Sequence, residues 1–153
     1  MTAIELEDII YTSIVTLLAG IQLVFFARMV GKSRMKHKVP YPQMTGDANF
    51  ERALRAQQNS LEFFPVFLIT LWLSSLFFNQ VASAVVGLVY LYSRQKYVSG
   101  YCRDVKDRIP GFKLGVRCLM FMAGLAMCGF VTVLLRSYTD IDLAVMLRNT
   151  IKK

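Results

Sequence analysis

Polar and apolar positions in this chain alternate on the scale of whole segments, leaving four apolar stretches: Ile9 to Val30, Phe63 to Phe78, Val81 to Tyr92 and Leu114 to Leu135. The first and last hold 22 residues each. At about 1.5 Å rise per residue, that is enough to cross a hydrocarbon core of about 30 Å. The middle two, of 16 and 12 residues, fall short. Only Asn79 and Gln80 separate them, room for a tight hairpin, so each must lengthen at its other end. The second helix then takes in Arg55 to Glu62 and the third takes in Arg94 to Tyr101. Two polar helix ends meet at one membrane face, where polar side chains are costly to keep unless they bind something. The pattern predicts an all-α integral membrane four-helix bundle forming one domain over residues 1–153. Its spans are expected at about 9–30, 54–78, 81–108 and 112–136, followed by a short amphipathic tail, Asp142 to Lys153.

Helical spacing sorts the polar residues into faces. Arg52, Arg55, Asn59 and Glu62 are spaced 3, 4 and 3, which places them along one stripe of the second helix. Arg94, Tyr97 and Tyr101, spaced 3 and 4, give the third helix a matching stripe. The third helix is expected to run on until Pro110 stops it, so that Arg108 overhangs the same cleft. Such a cleft offers arginines for carboxylates, a glutamate for an ammonium group, an amide at Asn59 and two tyrosine hydroxyls. Taken singly, Arg94, Lys96 and Tyr97 also suit headgroup snorkelling and the interfacial aromatic belt. Glu62 with Arg55 also suits an intrahelical structural pair. Glu62 and Asn59, however, are too short to snorkel far and need partners at that depth.

Charge sets the orientation. The loop between the first two spans carries Lys32, Arg34, Lys36, Lys38, Arg52 and Arg55, and the loop between the last two carries Arg94, Lys96, Arg103, Lys106, Arg108 and Lys113. These loops hold 12 of the 18 basic residues, whereas the N-terminus carries Glu5, Glu7 and Asp8. The excess of Lys and Arg predicts that both loops are cytoplasmic and both termini lie across the membrane. The net charge of +8 is thus mainly a topology signal, with attraction to anionic headgroups second. With 55% hydrophobic residues and no basic, aromatic-studded soluble module, the chain does not read as a nucleic-acid binder. Its first apolar stretch is long for a signal peptide, follows acidic residues and lacks a small-residue cleavage site, so it is expected to be a retained span. Cys102, Cys118 and Cys128 show no paired spacing and His37 is the single histidine, so neither disulfides nor a metal site are expected. Four short spans without broken-helix signals also argue against a transporter.

The segments TGDANFERALRAQQNSLEFFPVFLITLW, GLVYLYSRQKYVSGY and GKSRMKHKVPYPQ carry a resemblance. With its FERxxRAQxN pattern, the chain resembles the membrane-associated proteins in eicosanoid and glutathione metabolism (the MAPEG family) from about Ile14 through Leu135. The resemblance implies a homotrimer of four-helix protomers in the endoplasmic reticulum membrane and nuclear envelope. It implies glutathione as co-substrate, held between neighbouring protomers, with no metal. Arg55, Asn59, Glu62, Tyr97, Tyr101 and Arg108 match glutathione ligands of one protomer, with Arg94 a supporting contact, while Arg34 and Gln57 match ligands from the neighbour. Arg108 would activate the thiol and Arg34 would assist on the lipid substrate. The implied reaction is conjugation of glutathione to a lipophilic electrophile such as leukotriene A4, giving leukotriene C4, with reduction of lipid hydroperoxides as an accompanying activity. The electrophile is expected to enter sideways from the membrane lipid between helices lined by Phe26, Leu114 and Trp72.

Three positions depart from the pattern that the resemblance implies. Phe63 stands where a relative has tyrosine, Met35 follows Arg34 where a relative has a second arginine, and Ser60 replaces a common cysteine as an expected neutral packing change. The alternative within the family is a non-catalytic scaffold that binds arachidonate for another enzyme. Arginine at both 55 and 108 favours the enzyme over it. A prostaglandin E synthase-like isomerase uses the same fold but differs more in the quoted segments.

Overall fold

The computed structural model describes residues 5–139, and the predicted tail from Asp142 to Lys153 lies outside the described residues. A short 3-10 turn, Leu6–Asp8, leads into four helices: α1 (Ile10–Lys36), α2 (Ala48–Phe77), α3 (Gln80–Arg103) and α4 (Arg108–Thr139). No strand occurs among the described residues. The helices run antiparallel in sequence order. Near the outer end of α1 and the far end of α2, the hydroxyls of Thr12 and Ser75 share a 2.5 Å hydrogen bond, and Trp72 Nε1 donates to Thr16 Oγ1 at 3.1 Å. The α1–α2 and α3–α4 loops therefore share one end of the bundle.

Three helices of the described residues are long and apolar enough to cross a membrane: Ile10–Lys36, Ala48–Phe77 and Arg108–Tyr138 within α4. Among them, Leu17, Ile21 and Val24 on α1 are 66%, 57% and 61% exposed, which suits an apolar solvent and not water. The chain is a multi-pass membrane protein. α3 falls outside that group, since its second half carries Arg94, Gln95 and Lys96 in place of apolar residues. Between the helices the stability is one of packing, because lipid tails are as apolar as the side chains they would replace. Phe67 stacks flat on Tyr90 with ring centroids 4.3 Å apart, surrounded by Val15, Ala19, Leu71 and Met122.

α1 runs on to Lys36, past the expected end at residue 30, and α4 to Thr139, past 136, and two further departures have a cause in the structure. α2 begins at Ala48, well before residue 54, because Asp47 caps it by accepting the Asn49 backbone N–H at 2.8 Å. The Asp47 carboxyl also meets His37 Nδ1 at 3.0 Å, tying the two ends of the α1–α2 loop together. The second departure is a correction to the third and fourth helices. α3 ends at Arg103, short of residue 108, as Asp104 turns extended, and Arg108 opens α4, which therefore starts before residue 112. Pro110 lies in the first turn of α4, where its missing N–H costs nothing, so it begins a helix where it was expected to stop one. Two glycines permit the sharp return. A side chain at Gly100 would collide with the backbone of Asp107, and one at Gly111 would collide with the backbone of Tyr97. That close approach of α4 to α3 brings Arg108 beside the tyrosines of α3.

Candidate active site

At the loop end of the bundle, a cleft of about 210 Å³ opens between α2, α3 and α4. Arg55, Gln58, Asn59 and Glu62 line it from α2, Tyr97 and Tyr101 from α3, and Arg108 from α4. The helical stripe on α2 brings Arg55, Asn59 and Glu62 together as the spacing predicts, but not Arg52. The step from 52 to 62 spans about 2.8 turns at 3.6 residues per turn, so the stripe drifts and Arg52 rotates out. There its Nη2 donates to Asn49 Oδ1 at 2.5 Å. Gln58 was missed by sequence reasoning. It lies three residues after Arg55 and four before Glu62, and the same spacing rule would have found it.

The charges of this cleft are left open. Asn59 Nδ2 reaches Glu62 Oε2 at a long 3.4 Å, and the Arg108 guanidinium lies over the Tyr101 ring at 4.8 Å. Among the described residues the ion pairs are His37 with Asp47 and Arg103 with Asp107, and neither includes Arg55, Glu62 or Arg108. The intrahelical Arg55–Glu62 pair therefore does not form. Tyr97 and Tyr101 stand with ring centroids 5.8 Å apart and form the α3 wall.

Arg94 has a different place from the cleft residues. It is 3% exposed and lies behind the wall, donating through Nη2 to Asn59 Oδ1 and Ser60 Oγ, each at 3.0 Å. Its guanidinium rests 4.4 Å from the Tyr97 ring and 5.5 Å from that of Phe63. Arg94 thus orients Asn59 toward the cleft and does not line it. Ser60 is corrected along with it. The hydroxyl expected to be neutral packing accepts from Arg94 and donates to the Ala56 carbonyl at 2.8 Å, linking α3 to α2.

Arg34 and Gln57 also stand outside the cleft of their own chain. Arg34, 8% exposed at the end of α1, donates through Nη1 to the carbonyls of Gln43 at 2.6 Å and Pro40 at 3.2 Å. The rings of Tyr41 and Phe50 cover the guanidinium at 4.5 and 4.6 Å. Of the residues expected along the electrophile's path, Phe26 is fully buried and Trp72 is bonded to Thr16, while Leu114 packs against the core. Within one chain these three do not make an open groove.

What the cleft can do follows from its groups. Two guanidinium groups and one carboxylate, with an amide and two phenols between them, suit a small ligand bearing both carboxylates and an ammonium group. The chain is 46% identical over 134 residues to microsomal glutathione S-transferase 2 of Mus musculus, covering 88% of this chain and 91% of that protein. The Homo sapiens protein of the same name is 44% identical over 134 residues, with 88% and 91% covered. Leukotriene C4 synthase of Cavia porcellus is 37% identical over 125 residues, 82% of this chain and 83% of that one. Residues 12–128 match the family model that describes the MAPEG family, and the chain belongs to that family.

Proposed function

We propose that the protein is a membrane-bound glutathione transferase that holds glutathione in the α2–α3–α4 cleft and conjugates it to lipophilic electrophiles. The observation that carries this reading is the set of unpaired charges, Arg55, Glu62 and Arg108, around one small cleft. Glutathione has two carboxylates, an ammonium group, two amides and a thiol. Arg55 faces a carboxylate, Glu62 the ammonium group and Asn59, held by Arg94, an amide. Relatives named for glutathione transfer and for leukotriene C4 synthesis support the same chemistry.

Activation of the thiol falls to Arg108. A free thiol with a pKa of about 8.5 is mostly protonated at neutral pH, and a guanidinium beside the sulfur favours the thiolate. With leukotriene A4 the thiolate attacks an epoxide carbon. A carbon–sulfur bond forms, the carbon–oxygen bond breaks, and the alkoxide takes a proton to give the hydroxyl of leukotriene C4. A lipid hydroperoxide would instead be reduced to its alcohol and water, as two glutathiones are oxidised to their disulfide.

The cleft is completed in a homotrimer in which a neighbour supplies Arg34 and Gln57. Both hydrogen bonds that fix Arg34 use Nη1, so its loop anchors the side chain while its other nitrogens stay available. Arg34 then assists at the oxygen of the lipid substrate. The basic loops face the cytoplasm in the endoplasmic reticulum membrane and nuclear envelope, so the cleft draws on cytosolic glutathione. Calorimetric titration of the purified protein with glutathione, followed by turnover with leukotriene A4, a lipid hydroperoxide and an aryl halide, tests the reading. Saturable glutathione binding and a conjugate with at least one electrophile are expected. A protein that binds arachidonate but not glutathione would instead be the scaffold.

A further inference from the structure

Arg117 is a charge that the proposed chemistry does not use. It sits inside the apolar stretch of α4, nine residues after the helix begins at Arg108, or about 13.5 Å along the axis. Its side chain is exposed, and it has no hydrogen-bond or ion-pair partner among the described residues. An ionised side chain at membrane depth without a protein partner is retained for a ligand or a pathway more often than for packing. Arg117 opens onto a groove of about 310 Å³ on the outer face of α3 and α4, lined also by Val85, Val86, Val89, Cys118 and Phe121. The groove shares no residue with the cleft.

The groove is polarised along its length. Lys113 lies one turn nearer the loop end of α4 than Arg117, and Phe121 one turn deeper, all three exposed. On α3, Val85, Val89, Tyr92 and Lys96 follow one another at helical spacing and are also exposed. Gly111 against Tyr97 and Gly115 against Ser93 fix the antiparallel register, so Lys96 and Lys113 share the loop end while Val85 and Phe121 share the deeper part. Cations above, a guanidinium below them and an apolar trough beneath match a phosphate headgroup joined to an acyl chain. No carboxylate of the described residues lines the groove to compete.

We propose that this groove is a specific site for one anionic phospholipid, with its phosphate on Arg117 and an acyl chain along Val85, Val89 and Phe121. Because a second positive charge stands one turn away at Lys113, a net-negative headgroup is favoured over a zwitterionic one.

The test reconstitutes the full-length protein into phosphatidylcholine vesicles containing trace spin-labelled phosphatidylserine or spin-labelled phosphatidylcholine. Electron paramagnetic resonance then reads the motionally restricted fraction of each label. The parent protein is expected to prefer labelled phosphatidylserine by about fivefold, the effect of roughly one well-placed cation. Arg117→Gln should bring the ratio close to one, Arg117→Lys should keep part of it, and Lys36→Gln, which removes a loop charge, should leave it unchanged. Val89→Trp, which fills the groove and keeps every charge, should lower the restricted fraction. It decides the matter if Arg117→Gln fails to fold. A parent ratio near one, or equal losses in Arg117→Gln and Lys36→Gln, overturns the proposal. So does an Arg117→Gln protein that keeps its lipid preference but loses its oligomeric state, since the groove would then be covered by another copy.

Discussion

Two regions at the same end of the bundle each centre on arginine, and they treat it in opposite ways. In the α1–α2 loop, Arg34 is wrapped by its own chain, with two carbonyls on Nη1 and an aromatic ring against the guanidinium on each of two residues. In the cleft, Arg55 and Arg108 meet no acidic partner among the described residues, and the Arg108 guanidinium lies over the face of Tyr101. The difference is one of where hydrogen-bonding capacity is spent. A guanidinium satisfied inside the chain stabilises a loop and holds its own position. One left unsatisfied keeps its binding energy for a ligand. Arg94 lies between the two cases, since it is buried and bonded, yet its bond to Asn59 aims a cleft residue.

The strongest way to break this comparison is Arg108→Ala. If the open guanidinium stabilises the thiolate, each pKa unit it supplies corresponds to about 1.4 kcal/mol, so a lowering of two units means roughly 100-fold in thiolate at a pH below both values. At pH 7, where a thiol lowered by two units is already mostly ionised, the expected outcome is a loss of turnover of roughly 25-fold, rising toward 100-fold in acid. The pH of half-maximal turnover should move up toward about 8.5, with a smaller change in glutathione affinity. Absorbance of the bound thiolate across pH checks this without any electrophile. Identical titrations in parent and variant would leave Arg108 a binding group only.

Glu62→Ala sharpens the contrast from the other side. The carboxylate is exposed and among the described residues its hydrogen-bond contact is the long one with Asn59, so its removal should not disturb the fold. Losing a charge-assisted hydrogen bond to the ligand's ammonium group should weaken glutathione binding by about 2 kcal/mol, roughly 30-fold. Calorimetry on a variant with unchanged thermal stability measures it. An unchanged affinity would remove Glu62 from the site.

How far these regions could be read in the sequence follows the same division. The stripe of Arg55, Asn59 and Glu62 was legible because periodicity alone puts those residues on one face. The polar second half of the third helix was legible because charge interrupts its apolar run, although the helix was carried on to 108 and ends at Arg103. The turn from α3 to α4 was not, since Pro110 serves equally as a stop and as a first-turn residue. What decides between them is the contact of Gly100 with the Asp107 backbone, far below the resolution of a pattern. The wrapping of Arg34 was hidden for a related reason. Its acceptors are backbone carbonyls at Pro40 and Gln43, which leave no trace in residue type. Arg117 was lost by averaging, one charge within a stretch otherwise apolar.

Arg94→Met tests the intermediate case, in which the arginine acts through its neighbour. The substitution keeps much of the packing but leaves Asn59 and Ser60 without their shared donor. Hydrogen bonds between membrane helices are worth less than burial alone suggests, so a loss of stability of about 1 kcal/mol is expected. Glutathione affinity should fall with it, because Asn59 is no longer held. Asn59→Ala in the same background should then add little further loss of affinity, whereas full additivity would mean that Arg94 and Asn59 act separately.

The smallest effect belongs to the loop that carries Arg34, and it tests whether that region is structural in its own right. The backbone N–H of Asn49, donated to the Asp47 carboxyl at the start of α2, holds that carboxyl below its ordinary pKa, with His37 adding to the effect. A carboxylate whose folded-state pKa is depressed contributes stability that is fully present above its unfolded value of about 3.9 and is lost as pH falls through the lower, folded value. Asp47→Ala should therefore lower the thermal midpoint slightly at neutral pH, and the gap from the parent should close in acid as the parent's own carboxylate is protonated. Thermal melts of both proteins at pH 7 and near pH 3 follow the difference. Glutathione affinity should change little, since no cleft residue touches Asp47 and the Arg34 that a neighbour supplies is held by the Pro40 and Gln43 carbonyls and not by Asp47. A constant gap at both pH values would show that the cap acts through shape and not charge. A large loss of glutathione affinity would instead tie the loop to the site, as expected if a neighbour's Arg34 depends on the loop for its position.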